Sequence, residues 1–223
     1  RYLRYPSNYI NFETKNLNKI KNISQKLNKK EFAIRKNFRE ILSKTYSSNY
    51  FTLDKELIIN SEGYKIIRFD YLKKIEKYLE AFKYFENKFR HVETKNMKKN
   101  SLFFHSEISF ENNFLRDVVS IFLPSISEYL NILPVVSAAN LWYSEPTNNQ
   151  SNYMGSQLPH FDYEDLKQIK MYLALNDIND GEGPMHVLDK NQSAIIKRNL
   201  NDKKIEIDTK ISEKFFSNYN FKK

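Results

Sequence analysis

Apolar residues recur at helical spacing before Pro134 and in strand-like runs after it, and this change of period constrains the fold more than any other feature. Leu17, Ile20, Ile23 and Leu27, then Ile34, Phe38, Ile41 and Leu42, recur at the spacing of one helix face, which predicts a helix. Leu72, Ile75, Leu79, Phe82, Phe85 and Phe89 repeat the pattern between Asp70 and Arg90, with Asp70 as the expected N-cap. Residues 111–131 carry Phe114, Leu115, Val118, Ile121 and Phe122 at the same spacing, with Pro124 expected to kink or divide the helix. Short β-like pieces lie at "ELIIN" (56–60) and "YKIIRF" (64–69). After Pro134, "VVSAANLWYS" (135–144), "IKMYLAL" (169–175) and "PMHVL" (184–188) read as strands, and "NDGEGP" (179–184) reads as a turn. Helices followed by short strands predict an α+β chain. Residues 1–132 form a mainly helical support and 133–223 a strand-rich part of the same globular domain.

With 40% hydrophobic and 15% aromatic residues the chain belongs with globular proteins rather than disordered ones. The absence of cysteine removes disulfides, Cys-based zinc sites and thiol chemistry. No apolar run approaches the length of a bilayer span and no charged-then-apolar leader is present, so a cytoplasmic protein without a membrane partner is expected. The net charge of +9 is densest over 15–44, but acidic residues interleave and no basic arm stands out. Abundant Lys, Asn, Ile and Tyr is also what an A/T-rich coding sequence yields. Nucleic-acid binding is therefore an alternative reading and not the leading one.

One stretch carries chemistry. "QLPHFDYEDLKQIKMYLALNDINDGEGPMHVL" (157–188) places His160 two residues before Asp162, although the chain has only four histidines. On a strand, alternate side chains leave on the same face, so an imidazole and a carboxylate at this spacing converge on one ion. With a second histidine they make the facial triad that holds Fe(II) and leaves positions open for dioxygen and a chelating co-substrate. The motif alone is short, and the other reading is a surface histidine bonded to its neighbouring acid. Its surroundings carry the case.

Those surroundings resemble the core of the phytanoyl-CoA dioxygenase-like family of Fe(II)/2-oxoglutarate oxygenases. The resemblance lies in Gln157, His160 and Asp162, the acidic turn "YED" (163–165), the strand "LKQIKMYLALNDI" (166–178) and Gly183-Pro184. It is detailed over 135–190, looser over 105–223, and absent as motif from the first hundred residues. It implies a double-stranded β-helix, a jelly-roll or cupin-like barrel, of which 133–223 is the N-terminal part. It further implies Fe(II) held by His160 and Asp162. The implied reaction is oxidative decarboxylation of 2-oxoglutarate coupled to hydroxylation of a small-molecule substrate by molecular oxygen.

Two departures stand out. "LDKNQS" (188–193) replaces the family's usual structural turn and is expected to be a loop variant. The family's distal histidine and the basic residue after it have no counterpart, since no histidine follows His186. The barrel is therefore expected to be incomplete at its C-terminus, with the third ligand beyond Lys223 and the chain alone poorly active.

Other residues keep two readings each. Lys170 either holds a carboxylate of 2-oxoglutarate or substrate, or snorkels to water. Tyr172 either lines the same pocket or packs in the core, and Gln157 either bonds a carboxylate or is solvated. His186 either substitutes as a ligand or lines a pocket or the surface. His91 and His105 read as polar surface residues, and Trp142, which shares a strand face with Asn140, reads as packing. The leading expectation is an Fe(II)/2-oxoglutarate oxygenase. The alternatives are an inactive cupin-like ligand-binding module and a basic nucleic-acid-binding protein.

Overall fold

A 32-residue helix, α1 (Thr14–Thr45), begins the computed structural model, which describes residues 14–45, 53–99, 103–144, 167–179 and 182–199. Among these the protein is mixed α+β. Four further helices follow, α2 (Phe69–Leu72), α3 (Glu76–Arg90), α4 (Asn113–Leu130) and α5 (Lys190–Asn199), together with a three-stranded sheet. Its strands are β1 (Lys98–Lys99), β2 (Phe104–Glu107) and β3 (Asn140–Tyr143), antiparallel in the order β1-β2-β3. The chain divides into two compact units. One comprises Arg1–Ile58, Phe122–Val135 and Asp162–Met171, and the other Ile59–Ile121, Val136–Phe161 and Tyr172–Lys223.

In the first unit α1 is held by its arginines. Arg35 Nε donates to the Leu133 carbonyl at 2.8 Å, and the Leu133 amide donates back to the Arg35 carbonyl at 3.2 Å. Arg39 pairs with Glu128 and donates to Asn131 Oδ1 at 3.0 Å. Lys167 lies over the Phe32 ring and donates to the Leu130 carbonyl at 2.9 Å. Residues 32, 35 and 39 share a face that is turned away from 27, 34, 38 and 41. The apolar stripe therefore points outward, with Leu27, Ile34, Phe38 and Ile41 each 44–57% exposed. Periodicity identifies an amphipathic helix but not which face meets the body, and guanidinium contacts decide it here.

α4 runs unbroken through Pro124, so the proline does not divide it. A mid-helix proline costs about 3 kcal/mol. Burial of Phe122 and Leu130 on either side of it offsets part of that loss. Asn112, outside the expected signals, caps the helix by accepting from the Leu115 amide at 3.0 Å. Asn131, at φ 54°, ends it in the left-handed conformation that asparagine tolerates. Ser127 Oγ, fully buried, donates to the Ile132 carbonyl and ties down the chain leaving the helix.

In the second unit the pattern between Asp70 and Arg90 resolves into α2 and α3, interrupted at 73–75, with Leu72, Tyr78, Ala81 and Phe85 buried. Asp70 is not a cap. Arg68 occupies that position, and Asp70 lies inside the first turn with its carboxylate 2.6 Å from Lys73 Nζ, which lowers its pKa. Phe69 packs on Phe82 at 4.5 Å and Tyr84 stacks on Phe114 at 4.4 Å. Burial raises the Tyr78 phenol to about 12.

Several expected strands are absent from the described residues. "ELIIN" contributes a 3-10 turn (Lys55–Leu57) that buries only Leu57, and "YKIIRF" is irregular up to α2. Between them Asn60 starts a tight turn, its side chain accepting from Glu62 N at 3.0 Å, and Gly63 takes φ 91°. Residues 169–175 join no sheet, and "PMHVL" makes a single bridge at Val187. Strand propensity becomes a strand only where a neighbour supplies a ladder. Of "NDGEGP", Asp180 and Gly181 lie outside the described residues; on either side of them Glu182 N donates to the Asn179 carbonyl, and Gly183 takes φ 78°. "LDKNQS" is not a loop. Asp189 caps α5 by accepting from Gln192 N at 2.8 Å, and Ile196 is buried on the helix.

Candidate functional site

His160, Asp162 and Gln157 lie outside the described residues. Lys170, in the first unit, is exposed. Tyr172, in the second unit, is 52% exposed instead of packed in a core, and His186 is exposed beside the Val187 bridge. The structure places Tyr172 edge-on to Trp142, with ring centroids 6.3 Å apart.

That contact belongs to one face of the sheet. Residues opposite each other on neighbouring strands share a face, so Lys98, His105 and Trp142 form one row and Glu107 and Asn140 the next. Phe103 stacks on Trp142 at 4.3 Å with the planes 10° apart, and meets the His105 ring edge-on at 5.9 Å. Trp142 remains 43% exposed, so the expectation of simple packing holds for one side of its ring only. The other face of the sheet carries Phe104, Leu141 and Tyr143. Leu141 is buried there, Phe89 lies 6.1 Å from Tyr143, and Lys99 sits over Phe104. The site face is thus the more open one.

Sequence reasoning missed Phe103 and Glu107, and it read His105 only as a polar surface residue. Strand geometry puts 103, 105 and 107 on one side and 104 and 106 on the other, but "FFHSE" (103–107) does not itself alternate apolar and polar residues and so carries almost no signal. His105 is a half-buried strand residue rather than a surface one, while His91, the C-cap of α3, is exposed as expected. His105-Ser106-Glu107 repeats the His-x-acid spacing of 160–162, and β2 shows the imidazole and carboxylate leaving on one face. The Glu107 carboxylate engages Lys98 Nζ at 3.3 Å. Among the described residues no group of three or more His, Asp or Glu gathers to hold a metal. This face suits organic ligands better than ions. A flat or ring-bearing group can stack against exposed indole and phenol while Asn140 and His105 offer hydrogen bonds.

Elsewhere in the same unit, desolvation and a hydrogen bond to the Glu62 carboxylate raise the pKa of Tyr64, and Asp189 adds to the effect. Glu86 raises that of Arg90. Neither group adjoins the aromatic face in sequence. No described helix is long and apolar enough to cross a membrane. Comparison with family models, curated proteins and solved structures finds no match.

Proposed function

We propose that the protein is a non-haem Fe(II)/2-oxoglutarate-dependent oxygenase resembling the phytanoyl-CoA dioxygenase-like family, with residues from 133 onward contributing to a double-stranded β-helix. The observation that carries this reading is Gln157-x-x-His160-x-Asp162 followed by the acidic turn, the Lys170 segment and Gly183-Pro184 in family order. Support comes from β3, a strand where the resemblance requires the first barrel strand, and from α4, a helix where it requires the one before. The hydrogen bond from Glu182 N to the Asn179 carbonyl, just before Gly183-Pro184, is consistent with the turn that the resemblance calls for.

An imidazole nitrogen and a carboxylate oxygen are donors that suit Fe(II), and His160 and Asp162 would provide two of its ligands. Iron with 2-oxoglutarate and dioxygen supplies the oxidising chemistry once bound. The chain's own residues bind and orient. Gln157 and Lys170 offer a hydrogen bond and a positive charge to a carboxylate of 2-oxoglutarate. Tyr172 and Trp142 offer the organic substrate an aromatic wall that excludes water from one side of it.

Calorimetric titration with 2-oxoglutarate under dioxygen-free conditions tests the proposal. Binding that requires Mn(II) or Fe(II), and that disappears in His160→Ala and Asp162→Ala, supports an oxygenase. Binding indifferent to metal identifies a ligand-binding module instead.

A further inference from the structure

The outward face of α1 and the distribution of charge bear on a second surface, independent of the oxygenase reading. α1 contains ten of the chain's 36 Lys and Arg but two of its 27 Asp and Glu. Nearly all of the net charge of +9 therefore resides on this one helix, and the rest of the chain is close to neutral. Both acids are engaged within the helix, Glu31 with Arg35 at 3.5 Å and Glu40 with Lys36 at 3.9 Å. Leu27, Ile34, Phe38 and Ile41, separated by seven, four and three residues, make an exposed aliphatic and aromatic stripe. It runs about 21 Å along the axis. Lys26, Lys30 and Lys44 are exposed and follow one edge of that stripe, as their helical spacing requires. Arg35 and Arg39, turned toward 128–133, fix the helix so that the stripe faces away from the residues they bind.

We propose that α1 docks the protein on an anionic lipid surface, with Leu27, Ile34, Phe38 and Ile41 entering the headgroup–acyl boundary and Lys26, Lys30 and Lys44 meeting the lipid phosphates and carboxylates. A long, predominantly polar helix with a lysine-rich side and a Leu/Ile/Phe side has the composition of an interfacial helix. It needs no spanning segment.

Charge and shape select this occupant over others. A phosphodiester backbone would take the lysines, but it gives the aliphatic stripe nothing to bury against. A second copy of α1 would bring like charges together. A partner helix would need a regular seam, and the positions flanking the stripe at heptad spacing include Ser24 and Glu31, which interrupt one. A lipid surface imposes no register, and the lysine stems can lie along its apolar layer while their ammonium groups stay in water.

The whole chain is tested by co-sedimentation with vesicles of equal parts phosphatidylcholine and phosphatidylserine, and with vesicles of phosphatidylcholine alone. Binding to the first and not the second is expected, weakening as salt rises. Each lysine near such a surface contributes about 1 kcal/mol, so Lys26→Gln, Lys30→Gln and Lys44→Gln together should weaken binding on the order of a hundredfold. Ile34→Glu with Phe38→Glu should abolish it, while circular dichroism and the unfolding midpoint confirm that these exposed sites leave the fold intact. No binding to the anionic vesicles, or equal binding by both sets of variants, overturns the proposal. So does a concentration-dependent dimer lost in Phe38→Glu, or retention on duplex DNA that Ile34→Glu and Phe38→Glu leave unchanged.

Discussion

Replacing Phe38 with alanine is expected to leave the protein nearly as stable as before, whereas replacing Arg35 with alanine weakens it several times more. Phe38 is 54% exposed. Full burial of such a side chain contributes about 2–3 kcal/mol, so half of it contributes about 1 kcal/mol, and the better helix propensity of alanine returns roughly 0.5 kcal/mol. The net loss is about 0.5 kcal/mol. Arg35, whose side chain is 14% exposed, donates to a part-buried carbonyl of Leu133. Removing the donor strands that oxygen and strips away the packed stem, costing about 2 kcal/mol. Had the Leu27–Ile41 stripe been core, Phe38→Ala would cost about 3–5 kcal/mol. Urea unfolding followed by far-ultraviolet circular dichroism, with the slope unchanged, separates the two cases. A loss above about 2 kcal/mol for Phe38→Ala, with little change for Arg35→Ala, would show that the stripe is buried and refute the outward placement of that face.

Three more outcomes follow from the second unit. Burial places the folded Tyr78 phenol at about 12 against an ordinary 10.0, so its contribution to stability is complete below pH 10 and is lost as pH rises toward about 12. Tyr78→Phe should flatten that alkaline limb in unfolding curves recorded across the window, and an unchanged limb would assign it to other groups. Asp189→Ala removes the cap on the Gln192 amide and should destabilise by about 1 kcal/mol, with loss of helical signal confined to α5. The single tryptophan is half open and stacked on Phe103, so acrylamide should quench its fluorescence and Phe103→Ala should increase that quenching. Complete protection from quencher would place Trp142 in a closed core.

Elements whose burial and local signals agree were legible in the sequence. The α3 pattern works because Phe85 and its neighbours face a core, and Gly183 in "NDGEGP" takes the positive φ that glycine allows. Where two faces compete the pattern misleads. α1 has an apolar stripe, but Arg35 and Arg39 bind the body. β1 and β2 were missed because two- and four-residue strands leave almost no periodicity, and pairing with β3 across the intervening α4 is non-local. The aromatic face was half legible. Tyr172 and Trp142 were singled out separately, but the register that sets His105 opposite Trp142 is a tertiary fact. α5 is hidden when Asp189 is read as part of a loop, since the same residue type is a helix N-cap. His160, Asp162 and Gln157 rest on the sequence, and β2 supplies the nearest physical precedent, with His105 and Glu107 leaving one strand on one side.

Mn(II), a stand-in for Fe(II) that resists oxidation, offers the most direct test when its binding is followed by electron paramagnetic resonance. If His160 and Asp162 hold one cation, the protein binds one Mn(II), and either His160→Ala or Asp162→Ala alone weakens binding by at least about tenfold. Changing both should add little beyond either single loss. Equal Mn(II) affinity in the protein and in both single variants would contradict the assignment of these two residues as ligands.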